Sequence, residues 1–327
     1  MWKAIRTVMA LAMAIAVGGA LFNSTSRAAD YPDRPIRLIL GYPAGGGTDY
    51  VARLVAQKLT EAMGQQVIVV NLPGAAGAIA VEKVTSSPPD GYTLLLISSG
   101  DTIVPSLRSN LPYNLEHDLA PVGSAVKGSL ALVVNPSLPA KNVKELIALA
   151  QSEPGKLNFG SPGVGNSLHL AGALFNSVAK VDIVHVPYKG TAEAVTAIAA
   201  GQIEMGFVTL PTALPLIQAG KLRILGVTSA QRAASMPDVP TIAESGLPGY
   251  DLSTWFGVSV PAGTPKPIID KLNDTIVKSM STPEMKDTLN KQNLEPWTGS
   301  SDQFTTFVHN DLAQNAKLIG GLGLKIE

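Results

Sequence analysis

The stretch "LILGYPAGGGTD", Leu38 to Asp49, runs from an apolar tetrad through three glycines into Thr48 and Asp49, residues placed where a helix cap belongs. In a strand-to-helix turn of this kind the backbone N–H groups, backed by the positive end of the helix dipole, form a pocket for a carboxylate or phosphate oxygen. The same residues serve equally as a tight turn with no ligand. Nucleotide motifs fail by position. Gly41 and Gly46 have the Walker A glycine spacing, but Gly47 stands at the lysine place, and Tyr50 stands where a dinucleotide fingerprint needs glycine.

A second loop repeats the arrangement. "FGSPGVGNSLHLAGALF", Phe159 to Phe175, has a short strand, a turn through Gly160, Ser161, Gly163, Gly165 and Asn166, and a helix from Ser167. Two anion-ready loops facing each other can grip a small dianion from both sides. Gly165-Asn166-Ser167 also begins a nucleophile elbow, but its final glycine is replaced by His169, which does not face Ser167 on a helix; Ser167 reads better as a cap. In "VHVPYKGTAEA", Val184 to Ala194, Tyr188 can cover a ligand and Lys189 can add charge, or both can be ordinary loop residues. His117, His169, His185 and His309 lie far apart along the chain at no zinc spacing, and Ser124 to Lys127 matches S-x-x-K without its companion motifs. No metal site, cofactor or catalytic constellation follows from these residues.

These loops need a scaffold of about two domains, which 327 residues provide. The chain is 46% hydrophobic and 15% charged, the balance of a globular protein, and its 25 basic residues match its 25 acidic ones. With no net charge, nothing recruits nucleic acid over distance. Lys3 and Arg6 precede an apolar stretch from Val8 to Phe22, and Ser26-Arg27-Ala28 supplies small residues for cleavage after Ala28; residues 1–28 read as an export signal, too short in its apolar core for a span. Zero cysteine removes disulfides, thiol chemistry and a lipidated cysteine.

From Ile36 onward short apolar runs alternate with helical patterns. Ile36 to Gly41, Val67 to Val70 and Leu94 to Ile97 read as strands separated by helices, the pattern of a parallel sheet, and a second α/β unit follows from Leu130 to Val227. A strand at Trp255, a helix capped by Thr264 and two further helical patterns close the chain.

Read together, "YPDRPIRLILGYPAGGGTDYVARLVAQKL", "VVNLPGAAGAIA", "PPDGYTLL", "FGSPGVGNSLHLAGALF", "VPYKGTAEA" and "WFGVSVPAGTPKPIIDKLN" resemble the Bug family, the extracytoplasmic solute receptors of tripartite tricarboxylate transporters. The likeness covers essentially the whole chain after the export signal. It implies an α/β protein of the type II periplasmic binding protein fold, two lobes around a cleft, with lobe one over 30–128 plus 253–327 and lobe two over 129–252. By position it points to Ala44, Gly45, Gly46, Gly47 and Asp49 in one lobe, and to Ser161, Gly163, Gly165, Asn166, Ser167 and, more loosely, Tyr188 and Thr191 in the other. There is one departure. Where relatives commonly read "S-x-x-H-x-x-N-P", this chain has "SSGDTIVPSL", with Asp101 and Val104 near the His and Asn places. A carboxylate there repels a ligand's distal carboxylate unless a cation, a protonated group or an amine intervenes.

The resulting expectation is a monomeric, non-enzymatic periplasmic receptor. It closes on a small carboxylate, a di- or tricarboxylate, aromatic acid or acidic amino acid, and delivers it to a membrane permease. A sensor feeding a signalling kinase and an exported hydrolase using Ser167 are the competing readings.

Overall fold

The computed structural model describes residues 31–324, so the export signal expected over 1–28 lies outside the described residues. In chain order the first elements are β1 (Ile36–Leu40), α1 (Gly47–Met63), β2 (Val67–Asn71), α2 (Ala78–Thr85) and β3 (Thr93–Ser98). Two one-turn helices, α3 (Val104–Leu107) and α4 (Leu115–Asp118), lead into β4 (Leu119–Ser129) and β5 (Ala131–Val134). Next come α5 (Val143–Ser152), β6 (Asn158–Ser161), α6 (Ser167–Ala179), β7 (Val184–Pro187), α7 (Thr191–Ala199), β8 (Met205–Val208), α8 (Leu210–Gln218) and β9 (Arg223–Val227). After a long connection, β10 (Ser253–Pro261), α9 (Lys266–Met280), α10 (Pro283–Asn290), β11 (Leu294–Pro296) and α11 (Ser301–Leu322) finish the chain.

Local chemistry sets many of these boundaries. Gly64 ends α1 at φ 72°, a left-handed turn that favours glycine. The Asn142 side chain accepts from Glu145 N–H and starts α5, and Ser300 with Gln303 forms a capping box on α11. Thr264 does not cap α9 as its type suggests. Its hydroxyl donates to the Pro261 carbonyl at 2.7 Å, and Pro265 holds the cap position instead.

The strands form two sheets, each mixed. In the first, ordered β11-β4-β10-β3-β1-β2, β1 is parallel to β2 and β3, but β10 enters antiparallel between β3 and β4. The purely parallel pattern expected from the sequence therefore covers only half of this sheet. β4 has no apolar run because its place demands small residues: a Cβ at Gly123 would lie 2.5 Å from Asn273 Nδ2, and one at Gly128 2.5 Å from the Asn293 carbonyl oxygen. In the second sheet, ordered β7-β6-β8-β5-β9, β6 is parallel to β7 and β8 while β5 is antiparallel to β8 and β9.

The chain passes from the first sheet to the second between β4 and β5 and returns before β10. Thr228 ties the two passages together. It accepts from Leu130 N–H through Oγ1 at 2.9 Å, donates its own N–H to the Leu130 carbonyl at 3.0 Å, and accepts from Leu252 N–H at 2.9 Å.

α11 spans both units. Near its start Phe304 lies under Gly257 of β10, in edge-to-face contact with Trp255 and Trp297. Near its end Ile319 joins Leu170 of α6 in a small apolar cluster with Ile103 and Leu107. Between them Asp311 accepts from the Thr102 hydroxyl at 2.5 Å and from Asn315 Nδ2 at 3.1 Å. Truncating Phe304 to Ala leaves a void that the backbone at Gly257 cannot fill. The expected cost is about 3–5 kcal/mol in urea unfolding.

Candidate functional site

The carboxyl ends of β1, β3, β6, β7 and β8 open onto one cavity of about 30 Å³ between the two sheets. The first unit lines it with Tyr42, Pro43, Gly46, Gly47 and Thr48 after β1, Ser98 and Ser99 at the end of β3, and Thr254 and Phe256 on β10. The second contributes Pro162, Asn166, Ser167 and Leu168 after β6, Thr191 after β7 and Thr209 after β8. The lobes touch around this cavity. A Cβ on Gly47 would collide with the Thr209 hydroxyl, and one on Gly190 would lie 3.2 Å from Pro43.

The electrostatics come from backbone. The lining includes the first residues of α1, α6 and α7 and the N-cap of α8, Thr209, and no lysine or arginine. α1 and α7 have no side chain capping their first-turn N–H groups; in α8, also without a side-chain cap, Pro211 has no N–H and Thr212 N–H turns back to the Thr209 carbonyl, which leaves Leu210 N–H; α6 is capped by Asn166, which accepts from Leu168 and His169 N–H. Free N–H donors and the positive ends of helix dipoles thus converge on one small space, an arrangement that favours an anion. Hydroxyls from Thr48, Ser167, Thr191, Thr209 and Thr254 surround it.

Of the residues expected at the site, Gly46, Gly47, Asn166, Ser167 and Thr191 line the cavity. Ala44 and Gly45 are exposed beside it. Gly46, not Thr48 or Asp49, is the N-cap of α1, and Asn166, not Ser167, is that of α6. Each of the three glycines answers a different demand. Gly45 turns the chain at φ 83°, Gly46 leaves the helix end uncovered, and Gly47 makes room for Thr209.

Asp49 faces away from the cavity and braces the loop. Its carboxylate accepts from Gly45 N–H at 3.0 Å, from Arg53 at 2.9 Å through both oxygens, and from Asn71 Nδ2 at 3.0 Å. Burial alone would raise its pKa, but these donors outweigh it and hold the carboxyl below its ordinary value. Asp101 is buried one layer behind the wall. Its Oδ2 accepts from both the N–H and the hydroxyl of Ser98, at 2.7 and 2.9 Å, and burial pushes its carboxyl up to about 6 against the pull of those bonds. Val104 is buried at the start of α3, packed in the core.

In the second loop, Ser161, fully buried, donates to the Gly163 carbonyl at 2.8 Å, and its oxygen meets His185 Nε2 at 2.7 Å. Since the single hydroxyl proton goes to Gly163, His185 is the donor. Gly163 and Gly165 take φ 104° and 93°, conformations that favour glycine, and Gly165 N–H points at His169 Nδ1 at 3.5 Å. Tyr188 N–H donates to the Ser161 carbonyl at 2.9 Å, while the ring packs in the core of the second unit.

The histidines correct the sequence reading. His169 and His185 are not far apart in space: their ring centroids stand 4.3 Å from each other, and Phe159 stacks on the same group at 4.9 Å from His185. The parallel pairing of β6 with β7 sets Phe159 opposite His185, and the first turn of α6 lays His169 over both. Nothing in residue spacing announces this. The pair supports the second loop from behind, and Ser98, Ser99, Thr209, Thr254 and Phe256 are wall residues that no glycine motif marks.

With this geometry the comparisons with known proteins agree. Residues 51–324 match the family described as the tripartite tricarboxylate transporter family receptor. This chain belongs to that family. BugT of Bordetella pertussis is 35% identical over 299 residues, covering 91% of this chain and 92% of BugT. A solved R. palustris protein with adipate has a TM-score of 0.88 at 34% identity, covering 90% of this chain and 99% of that one. MatC from Rhodopseudomonas palustris with bound malate has a TM-score of 0.83 at 27% identity, covering 88% and 100%. The likeness to Bug receptors read from the sequence is thereby met, and the two α/β units are the lobes of a periplasmic binding protein fold. The family is one of receptors. No histidine or carboxylate among the described residues hydrogen-bonds to Ser167, and no helix among them is long and apolar enough to cross a membrane.

The histidine pair makes stability depend on pH. Burial first, and the neighbouring His169 second, push His185 down to about 4, and burial lowers His169 too. An unfolded histidine titrates near ~6.5, so between that value and the folded one the unfolded chain binds more protons and stability falls as pH falls. Asp101, raised to about 6, acts in the opposite sense. The urea midpoint of His185→Gln should therefore fall less than that of the native chain between about pH 7 and about pH 5. An equal fall in both proteins would contradict this assignment.

Proposed function

We propose that this chain is an exported, monomeric periplasmic receptor that closes its lobes on a small carboxylate and passes it to the permease of a tripartite transporter. The observation that carries the reading is the cavity, where four helix N-termini meet without a basic side chain. Lobe one is taken as 30–128 plus 253–327 and lobe two as 129–252, with Leu130, Thr228 and Leu252 as the tied hinge between them. The ligand-binding set is the loop after β1, around Gly46 and Gly47, and the loop after β6, around Asn166 and Ser167, with Thr191 beside them. Residues 1–28 direct export and are removed. Support comes from the family and from relatives solved with adipate and malate.

Binding needs no bond to be made or broken. A ligand held by N–H groups of both lobes gains its second set of contacts only on closure, and that difference selects the closed state. Capture of a di- or tricarboxylate, an aromatic acid or an acidic amino acid is the range that backbone donors permit, since they read the carboxylate and leave the rest of the molecule to the wall.

Thermal unfolding against a panel of these acids tests the reading. A ligand at ~100 times its dissociation constant should add about 2.7 kcal/mol of stability, seen as a raised midpoint. No shift with any acid would sink the proposal. For the acid giving the largest shift, Gly47→Ala should weaken binding at least about tenfold by pushing Thr209 away on closure, a cost of the size typical of overpacking. The ligand-free midpoint of that variant should not drop, because alanine suits the first turn of a helix better than glycine does.

A further inference from the structure

The wall at Ser98 differs from the rest of the cavity. Elsewhere the lining offers the uncapped N–H groups of α1 and α7 and hydroxyls such as those of Thr48, Ser167 and Thr191. At Ser98 both donors are already spent, since its N–H and its hydroxyl go to the same oxygen of Asp101. A serine hydroxyl has one proton and two lone pairs, so with its proton on Asp101 the Ser98 oxygen offers only lone pairs, to the neighbouring Tyr42 hydroxyl and to the cavity. Asp101 is held in this role by its surroundings. A Cβ on Gly77 would lie 2.8 Å from its Oδ1, and Gly77 itself sits at φ 102°, so the backbone closes over the carboxylate from the far side.

No basic side chain hydrogen-bonds to Asp101 among the described residues. The titratable groups that face it from packed elements are Tyr42, after β1, and Tyr113, before α4. Burial first and the Asp101 charge second raise both phenols above their ordinary value, so both stay neutral. Tyr42 reaches towards the Ala76 carbonyl at 3.4 Å. No basic group thus offsets the charge on Asp101, and it stands directly behind Ser98 in the wall.

Resting on the carboxylate reading above, we infer that Asp101 is a positioning residue which, through Ser98, selects carboxylates bearing a hydrogen-bond donor, a hydroxyl or an ammonium, over unsubstituted ones. A plain second carboxylate placed against Ser98 meets lone pairs backed by a buried negative charge. A hydroxyl or ammonium there donates to Ser98 Oγ, and an ammonium also offsets the charge.

The test uses matched trios of three, four and five carbons: propionate, lactate and alanine; succinate, malate and aspartate; glutarate, 2-hydroxyglutarate and glutamate. Binding is measured by calorimetry on the protein without its export signal. In the trio that binds, the hydroxy or amino acid should bind at least about tenfold tighter than the plain acid near pH 7.5, as expected when a buried acceptor is left unmet by one of two ligands. The tighter of the two substituted acids tells hydroxyl from ammonium. Asp101→Asn should shrink the gap to about threefold or less, and Ser98→Ala should also take away the donor's advantage.

A merely structural Asp101 would not move the pH profile of this ratio. In the native chain the gap should narrow as pH falls to about 5.5, because Asp101 takes up a proton near 6, while in Asp101→Asn it should stay flat. The comparison cancels the ligands' own titration and that of His169 and His185. Plain acids binding as tightly as the substituted ones, or a full-sized gap in a folded Asp101→Asn or Ser98→Ala protein, overturns the inference and leaves the carboxylate reading standing. If no member of any trio binds, the inference falls, and the wider panel of acids decides the carboxylate reading separately.

Discussion

An anion can be taken out of water only if something replaces the donors it loses, and this cavity holds no ammonium or guanidinium to do so. The replacement is the uncapped first turn of a helix, used in full at α1 and α7, with the Pro211-bearing end of α8 and the Asn166-capped end of α6 beside them. Everything else in the molecule serves to bring those ends to one point. Each lies at the carboxyl end of a strand, so the two sheets fix where the helices begin. The two sheets are joined by a hinge narrow enough for one threonine to bridge. Dipoles aimed by strands at the ends of two sheets are oriented before any anion arrives.

The two buried carboxylates near the cavity show how position decides the state of the same chemical group. Asp49 is surrounded by donors, one of them a guanidinium, and is kept ionised as a brace for the first loop. Asp101 has only the two donors of Ser98 against full burial, and is therefore poised to change charge near neutrality. In the opposite lobe the two imidazoles are kept neutral by burial and support the other loop.

Much of this was legible in the sequence, and the exceptions have physical reasons. The first three strands, the helix face from Val51 to Leu59, the Asn142 cap and both glycine loops follow from patterning and turn chemistry, which are local. β4 was invisible because its place demands glycine, alanine and serine, which look like loop. The antiparallel entry of β10 lies in pairing across more than 150 residues, beyond any local signal. Gly47 is a site residue by position in the family likeness, and the structure supplies a further cause for glycine there, Thr209 of the other lobe. The segment after β3 stands out in the sequence for Asp101, yet the residues that line the cavity are Ser98 and Ser99, since Asp101 folds back beneath Ser98. The meeting of His169 with His185 depends on which strand lies beside which, and strand order is a property of the assembled sheet.

The place of β10 carries a consequence for how the chain assembles as it is made. Lobe two is one continuous run of sequence, so its strands and helices can find their partners as soon as they are made. Lobe one cannot, because β3 and β4 are separated in the finished sheet by a strand that arrives only after the whole second lobe. Until residues 253–261 slot between them, both edges stand open, an unpaired state prone to wrong partners. A strand made after the whole second lobe is thus the keystone of the first, and the lobe that begins the chain is the later of the two to complete its sheet.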